Sequence, residues 1–208
     1  MSGSLLIQLQ DAESYIKRNS YKSWRKDGQY RVEYPDYPEP AVSETLVNAI
    51  IHRDYMDKGS EIHVDMFDDR LEVFSPGGMV DGTFIQDKEL NRLSSKRRNP
   101  IIADVFSRMD LMERRGSGLR KIVDSYTELE QYSKDLMPAF HSTETDFYVI
   151  LKNMNYSGDK NFQLDNILQF ARQNEYFRTK DIEELLHIGP SRARQLISEL
   201  VSEEQLMA

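Results

Sequence analysis

The stretch EIHVDMFDDRLEVFSPGG, residues 61–78, narrows the possible folds more than any other part of the chain. Ile62, Val64 and Met66 alternate with polar neighbours, Asp68-Asp69-Arg70 supplies a turn, and Leu71 and Val73 resume the alternation. Period-two apolar spacing on both sides of a turn predicts an antiparallel hairpin with one buried face. A sheet with one buried face needs a second layer to cover it. The covering layer must come from the segments around the hairpin, and those read mainly as helices.

Leu5, Leu9, Ala12 and Ile16 recur at helical spacing over 5–18. This helix begins abruptly after Met-Ser-Gly-Ser, and the expectation is a preceding domain outside this sequence. Residues 20–40, aromatic and proline-rich, read as extended chain feeding a helix over 40–54. Residues 79–98 read as a loop or lid that ends in Lys96-Arg97-Arg98. Asn99-Pro100 starts a helix whose inward face is Ile102, Val105, Phe106 and Met109. A glycine turn then opens into a helix carrying Leu119, Ile122, Val123 and Tyr126 on one side, and 146–154 reads as a buried strand. Polar residues 155–161 mark a domain boundary. Beyond them lie three helical patterns: Leu164, Ile167, Leu168 and Ala171; Ile182, Leu185 and Leu186; and Ala193, Leu196, Ile197 and Leu200.

Composition excludes whole classes of function. With no cysteine, the chain has neither a disulfide framework nor a thiolate metal site. No apolar run approaches 18 residues and no signal pattern opens the chain, so a cytoplasmic protein with no membrane partner is expected. A net charge of −8 argues against broad affinity for nucleic acid, so any such contact must be a local patch.

The helix over 40–54 poses the functional question. Glu44 and Asn48 are neighbours on one stripe, with His52 a further turn along, while Ala41, Leu46, Val47, Ala49 and Ile50 fill most of the circumference. Either this stripe faces water or it lines a pocket. Gly116, Ser117, Gly118 and Leu119 open a later helix, where unpaired N–H groups and the dipole favour an anion. Arg114, Arg115 and Lys96 to Arg98 are the cations nearest such a site in sequence.

Four segments in this order, ETLVNAIIHRDY, DDRLEVFSPGG, RNPIIADVF and GSGL, carry a family resemblance. Over about residues 5–154 the chain resembles the GHKL ATPases, which include the gyrase B subunit and sensor histidine kinases. It is most similar to a divergent branch labelled RecG-related C-terminal, found in transcriptional regulators with an upstream AlbA-like or Schlafen-like domain. The resemblance implies a two-layer sandwich, a mixed sheet with helices on one face. It also implies Mg²⁺ and ATP or a related nucleotide as cofactors. Asn48 would then hold the phosphate-bound Mg²⁺ through its amide oxygen. Glu44 would be the general base of hydrolysing members. His52, Ser75, Gly77, Gly78, Arg97, Arg98, Gly116, Ser117, Gly118 and Leu119 would complete the nucleotide site.

One departure stands out. The family's hairpin ends in an Asp-x-Gly-x-Gly turn whose aspartate accepts the adenine amino group, and here Ser75 falls at that place. Losing a charge-assisted contact costs about 1–2 kcal/mol of binding. Two other motifs fail. His52-Arg53-Asp54 lacks the asparagine and the Asp-Phe-Gly segment of a protein kinase, and no phosphate-loop signature supports a helicase motor.

The C-terminal stretch TKDIEELLHIGPSRARQLISELVSEEQL has helix–turn–helix spacing around Gly189-Pro190 and resembles winged-helix domains, with no wing after it. Ser191, Arg192, Arg194, Gln195 and Ser198 would face double-stranded DNA, since the start of the second helix reads base edges. From Gly158 onward, however, six Lys/Arg stand against nine Asp/Glu, and a plain packing domain is the alternative. The resulting division is 1–37 as helix and linker, 38–156 as the ATPase-like domain and 157–208 as an all-α helix–turn–helix domain. The leading reading is a DNA-binding transcriptional regulator with a nucleotide-sensing or vestigial ATP site. An active Mg-dependent ATPase and a non-catalytic interaction module with an empty pocket are the alternatives, and homo-oligomerisation stays open.

Overall fold

The structure, a computed structural model, describes residues 3–27, 30–93, 96–112, 118–130, 132–156, 160–174, 176–186, 188–202 and 205–206, without the side chains of 22–27, 30–33 and 160–162. In chain order the elements begin α1 (Leu5–Asn19), β1 (Lys22–Asp27), β2 (Tyr30–Pro35), α2 (Glu39–His52), β3 (His63–Met66) and β4 (Arg70–Pro76). They continue α3 (Pro100–Arg108), α4 (Gly118–Thr127), β5 (Ala139–Ser142), β6 (Asp146–Lys152), α5 (Lys160–Gln173), α6 (Thr179–Leu186) and α7 (Pro190–Ser202). Contacts divide the chain into two units, Met1–Ser20 with Tyr37–Lys152 and Tyr21–Asp36 with Asn153–Ala208.

The first unit is a sheet of order β3-β4-β6-β5 with helices against one face. Leu71, Val73 and Ser75 of β4 stand opposite Leu151, Val149 and Phe147 of β6, and the first two pairs are buried. The alternation in the sequence thus marks the buried face. The other face carries a row of rings, His63, Phe74, Tyr148 and His141, one from each strand. The expected mixed sheet is corrected: every described strand pair is antiparallel, because β6 returns beside β4 running the opposite way.

α2 is the centre of this unit. It is buried around most of its circumference and packs against α1, α3, α4, β4 and β6. Burial leaves its last carbonyls without water, so side chains must satisfy them. Asn99 Nδ2 donates to the carbonyls of Ile51 (3.1 Å) and Arg53 (2.7 Å), and Tyr55 Oη donates to that of Ile50 (3.0 Å). Asn99 also sits at the N-cap of α3, yet its side chain caps α2 and not its own helix. At the far side, Ser4 accepts the Ile7 N–H to cap α1, whose Leu9, Ala12 and Ile16 are buried.

The second unit corrects the reading of the N-terminal linker. Residues 22–35 form a hairpin, with Lys22 opposite Pro35 and Asp27 opposite Tyr30, and it groups with the C-terminal helices. That unit is therefore not all-α. Its boundary falls at residue 153 because the turn there is bonded to the hairpin's end: Met154 N–H donates to the Asp36 carbonyl (2.8 Å), and Asn155 Nδ2 to Tyr34 O (3.0 Å) and Asp36 Oδ1 (2.9 Å). Tyr21 Oη donates to Glu183 Oε2 (3.3 Å), and burial together with that carboxylate pushes the phenol up to about 12. Ile167, Ile182, Leu186, Ile188, Ala193, Leu196 and Leu200 form the core of α5, α6 and α7. Among the described residues no helix is long and apolar enough to cross a membrane.

Candidate functional site

A cleft of about 140 Å³ opens in the first unit between α2, the sheet and the start of α4. Thr45, Asn48, Ala49 and His52 line it from α2, at the i, i+3, i+4, i+7 spacing of a single helical face. Val73 and Ser75 of β4 and Val149 of β6 form the opposite wall, and Gly118, Leu119 and Arg120 close one end. The polar stripe of α2 therefore lines a cavity.

Within it, Asn48 Nδ2 donates to Glu44 Oε1 at 3.0 Å. That bond orients the amide, and its Oδ1 accepts no hydrogen bond among the described residues. Glu44 is buried, at 8% exposure, and its Oε2 lies 3.6 Å from Lys121 Nζ of α4. The absence of a side chain at Gly118 is what lets α4 start here. A Cβ at Gly118 would run into Glu44 Oε1 and come within 2.9 Å of Asn48 Nδ2. The first turn of α4, where backbone N–H groups lack intrahelical acceptors, thus begins on the Glu44–Asn48 pair. Gly116 and Ser117 lie outside the described residues.

His52 lines the same cleft one turn beyond Asn48, and burial, reinforced by the Arg98 and Arg97 charges, lowers its imidazole to about 4. It is neutral at pH 7 and available as a hydrogen-bonding group rather than a cation. Arg97 and Lys96 line the rim, Arg97 on Asp104 (3.4 Å) and Lys96 on Asp81 (3.2 Å). Asp81, itself a lining residue, is held below the usual carboxylate range by Thr83 and Lys96.

Arg98, expected at the phosphates, does not line the cleft. Its Nη2 donates to the Gly78 carbonyl (2.7 Å) and its Nη1 to Asp54 (3.3 Å). It locks the Ser75-to-Gly78 turn to the end of α2, where Asp54 N–H also donates to the Pro76 carbonyl (2.7 Å). The glycines there answer to the backbone. Gly77 has φ +109°, a region side chains avoid, and a Cβ on Gly78 would strike the Thr143 and Glu144 carbonyls. Ser75 Oγ donates to the Ala49 carbonyl at 2.8 Å, which leaves its lone pairs as acceptors.

Sequence reasoning passes over several lining residues, among them Thr45, Asp81, Met112 and Arg120. Thr45 alone was legible, as it shares the stripe of Asn48 and His52. The proposed DNA face lies on α7, where Ser191, Arg194, Gln195 and Ser198 are exposed. Arg192 is half-buried, and its guanidinium donates to Gln163 Oε1 (3.1 Å), a buried residue of α5, and to Gln195 Oε1 (3.2 Å). No cluster of three metal-ligating side chains occurs among the described residues.

An antiparallel sheet backed by helices, with a cleft between its central helix and the start of another, is an α+β arrangement. Residues 59–151 match the family described as "Putative ATP-dependent DNA helicase recG C-terminal". The match begins after α2, so Glu44, Asn48 and His52 enter the site through the geometry above. Among solved structures, the chain is similar to the DIP2311 protein of Corynebacterium diphtheriae, at 21% identity and a TM-score of 0.60. That likeness is one of fold; it covers 94% of this chain and 42% of the other, so this chain spans less than half the length of that protein. No curated protein matches the sequence.

Proposed function

We propose that the cleft binds a nucleotide with Mg²⁺, and that the chain is a cytoplasmic, nucleotide-responsive regulator that binds DNA through its second unit. The observation that carries the first half is the seating of Gly118 on the Glu44–Asn48 pair. It brings a helix start suited to phosphate beside the Asn48 amide group, whose oxygen is of the kind that suits a hard cation. Bound there, the metal would supply charge neutralisation for the phosphates. Asn48 would hold it through Oδ1, with the first turn of α4 and the rim cations Lys96 and Arg97 taking phosphate oxygens.

The chain's own residues favour binding over turnover. Glu44 has one carboxylate oxygen bonded to Asn48 and the other facing Lys121, so it orients the amide before it can act on water. The second reading, an active ATPase, is favoured by Glu44's place in the cleft. Phosphate release by the wild type that Glu44→Ala abolishes while sparing binding would support it, and no phosphate release by the wild type would exclude it. Calorimetric titration of Mg·ATP into the wild type and into Asn48→Ala tests the binding reading. Micromolar binding lost in the variant supports it; no heat in either protein defeats it.

For the second unit, the support is the outward set Ser191, Arg194, Gln195 and Ser198 along α7, the first three in its N-terminal half. Arg194→Ala should weaken duplex binding in a gel-shift series. Arg192→Ala should instead destabilise the unit, since it removes the hydrogen bond to the buried Gln163 Oε1.

A further inference from the structure

Among the described residues, the core of the second unit is built from α5 to α7 and takes nothing from the hairpin β1–β2. The root of the hairpin is held, since Tyr21 Oη donates to Glu183 of α6 and Asn155 Nδ2 to the Tyr34 carbonyl. Beyond the root, β1 and β2 pack on each other, and neither lies against another helix or strand to more than a marginal extent. A two-stranded ribbon without a covering layer buries little and is marginal on its own. Residues 22–35 carry four Lys/Arg against two Asp/Glu, in a chain whose net charge is −8. The register concentrates that charge. Lys22, Trp24 and Lys26 share one face with Pro35, Glu33 and Arg31, while Ser23, Arg25 and Asp27 share the other with Tyr34, Val32 and Tyr30. The first face holds three cations, a tryptophan and one carboxylate. Towards the tip, Lys26 stands directly opposite Arg31, and like charges at opposed positions destabilise a strand pair. An anion lying across the pair reverses that effect.

We propose that the hairpin β1–β2 is a second DNA-contacting element of this chain, with its Lys22–Lys26–Arg31 face against the phosphates of a duplex. The inference rests on the reading of the second unit as DNA-binding, and adds the element that supplies affinity without sequence preference. Phosphate oxygens are the anions that the Lys26–Arg31 pair calls for, and contacts to them position a protein on a duplex without reading it. A two-stranded ribbon is narrow enough to lie along a groove. Its root is bonded to α6, the helix that in a helix–turn–helix crosses the backbone. The net negative charge of the chain confines any such contact to a local basic patch, and this face is one.

The test is fluorescence anisotropy of a mixed-sequence DNA duplex titrated with the whole chain over a series of salt concentrations. The variants are Lys26→Ala/Arg31→Ala, the exchange Lys26→Arg/Arg31→Lys, and Arg194→Ala. Each phosphate contact contributes about 0.9 to the slope of log affinity against log salt. The double alanine variant should therefore lose about 2 from that slope and bind about tenfold more weakly at low salt, a gap that closes as salt rises. Its thermal midpoint should hold or rise, because the like-charge pair is gone. The exchange variant, which keeps both charges, should retain slope and affinity. A slope unchanged in the double alanine variant, with Arg194→Ala still weakening the complex, would overturn the role of the hairpin and leave α7 as the contact. A loss seen on an RNA duplex and not on DNA would overturn the choice of DNA. Absence of duplex binding by the wild type at low salt would instead remove the reading of the second unit, and this inference with it. Should the double variant not fold, Lys26→Gln alone should lower the slope by about 0.9, and an unchanged slope there would overturn the proposal.

Discussion

At Gly118 two opposing effects act on one methyl group. Replacing Gly by Ala normally favours a helix by up to about 1 kcal/mol, and less at a first position. Here the added Cβ meets Glu44 Oε1 and Asn48 Nδ2 inside a packed wall. Overpacking of that kind costs about 1–3 kcal/mol, so the clash wins. Gly118→Ala is expected to lower the thermal midpoint and to abolish nucleotide binding, measurable together by ligand-dependent melting. His52 makes the second residue-scale prediction. Its folded value, about 4, lies below the usual 6.5, so the unfolded chain takes up the proton first. Stability is then undiminished above about pH 6.5 and falls as pH drops towards 4. The loss amounts to roughly 3 kcal/mol when the full shift is counted at 1.36 kcal/mol per unit. Urea midpoints between pH 7 and 4 should show that fall, and His52→Gln should remove most of it. A parallel decline in both proteins would refute the assignment.

Among the elements, α2 depends most on side chains outside itself. Its terminal carbonyls are bonded by Asn99 and Tyr55, and its end is fixed by the Asp54–Arg98–Gly78 chain of contacts. Asn99→Ala leaves two part-buried carbonyls unpaired at once and should cost about 1–3 kcal/mol, read as a lower denaturant midpoint with unchanged slope. Arg98 and Asn99, Asp54 and Tyr55, and the Ser75-to-Gly78 turn each have a local task in holding this helix end. The strand pair β3–β4 and the helices α5 to α7 were legible in sequence because their apolar periods are clean. β5 was not, since Ala-Phe-His-Ser is a short edge strand without alternation. Nor was the hairpin β1–β2, whose charged residues obscure the pattern although Asp27-Gly28 is a favoured hairpin dipeptide.

On the scale of the whole molecule, the chain passes between its two units three times, at residues 20/21, 36/37 and 152/153. A hairpin from the first fifth of the sequence thus belongs with the last quarter, and most of the first unit is inserted between them. Nucleotide binding to the first unit should stabilise it by about 2.7 kcal/mol at a hundredfold excess over Kd. The rim segment 79–93, which supplies Met79 to Asp81, Leu90 and Leu93 to the cleft, should then be protected from limited proteolysis. Cleavage there that ignores saturating Mg·ATP would count against nucleotide response. The stripe Glu44–Asn48–His52, the glycine-started helix and the antiparallel hairpin follow from spacing along the chain, because helical and strand periods are local properties. The joining of that stripe to Gly118, the bonding of Arg98 to the Gly78 carbonyl, and the Thr45 hydroxyl that has no partner among the described residues arise only when distant segments pack, because they depend on which atoms share a wall and not on which residues are neighbours in sequence.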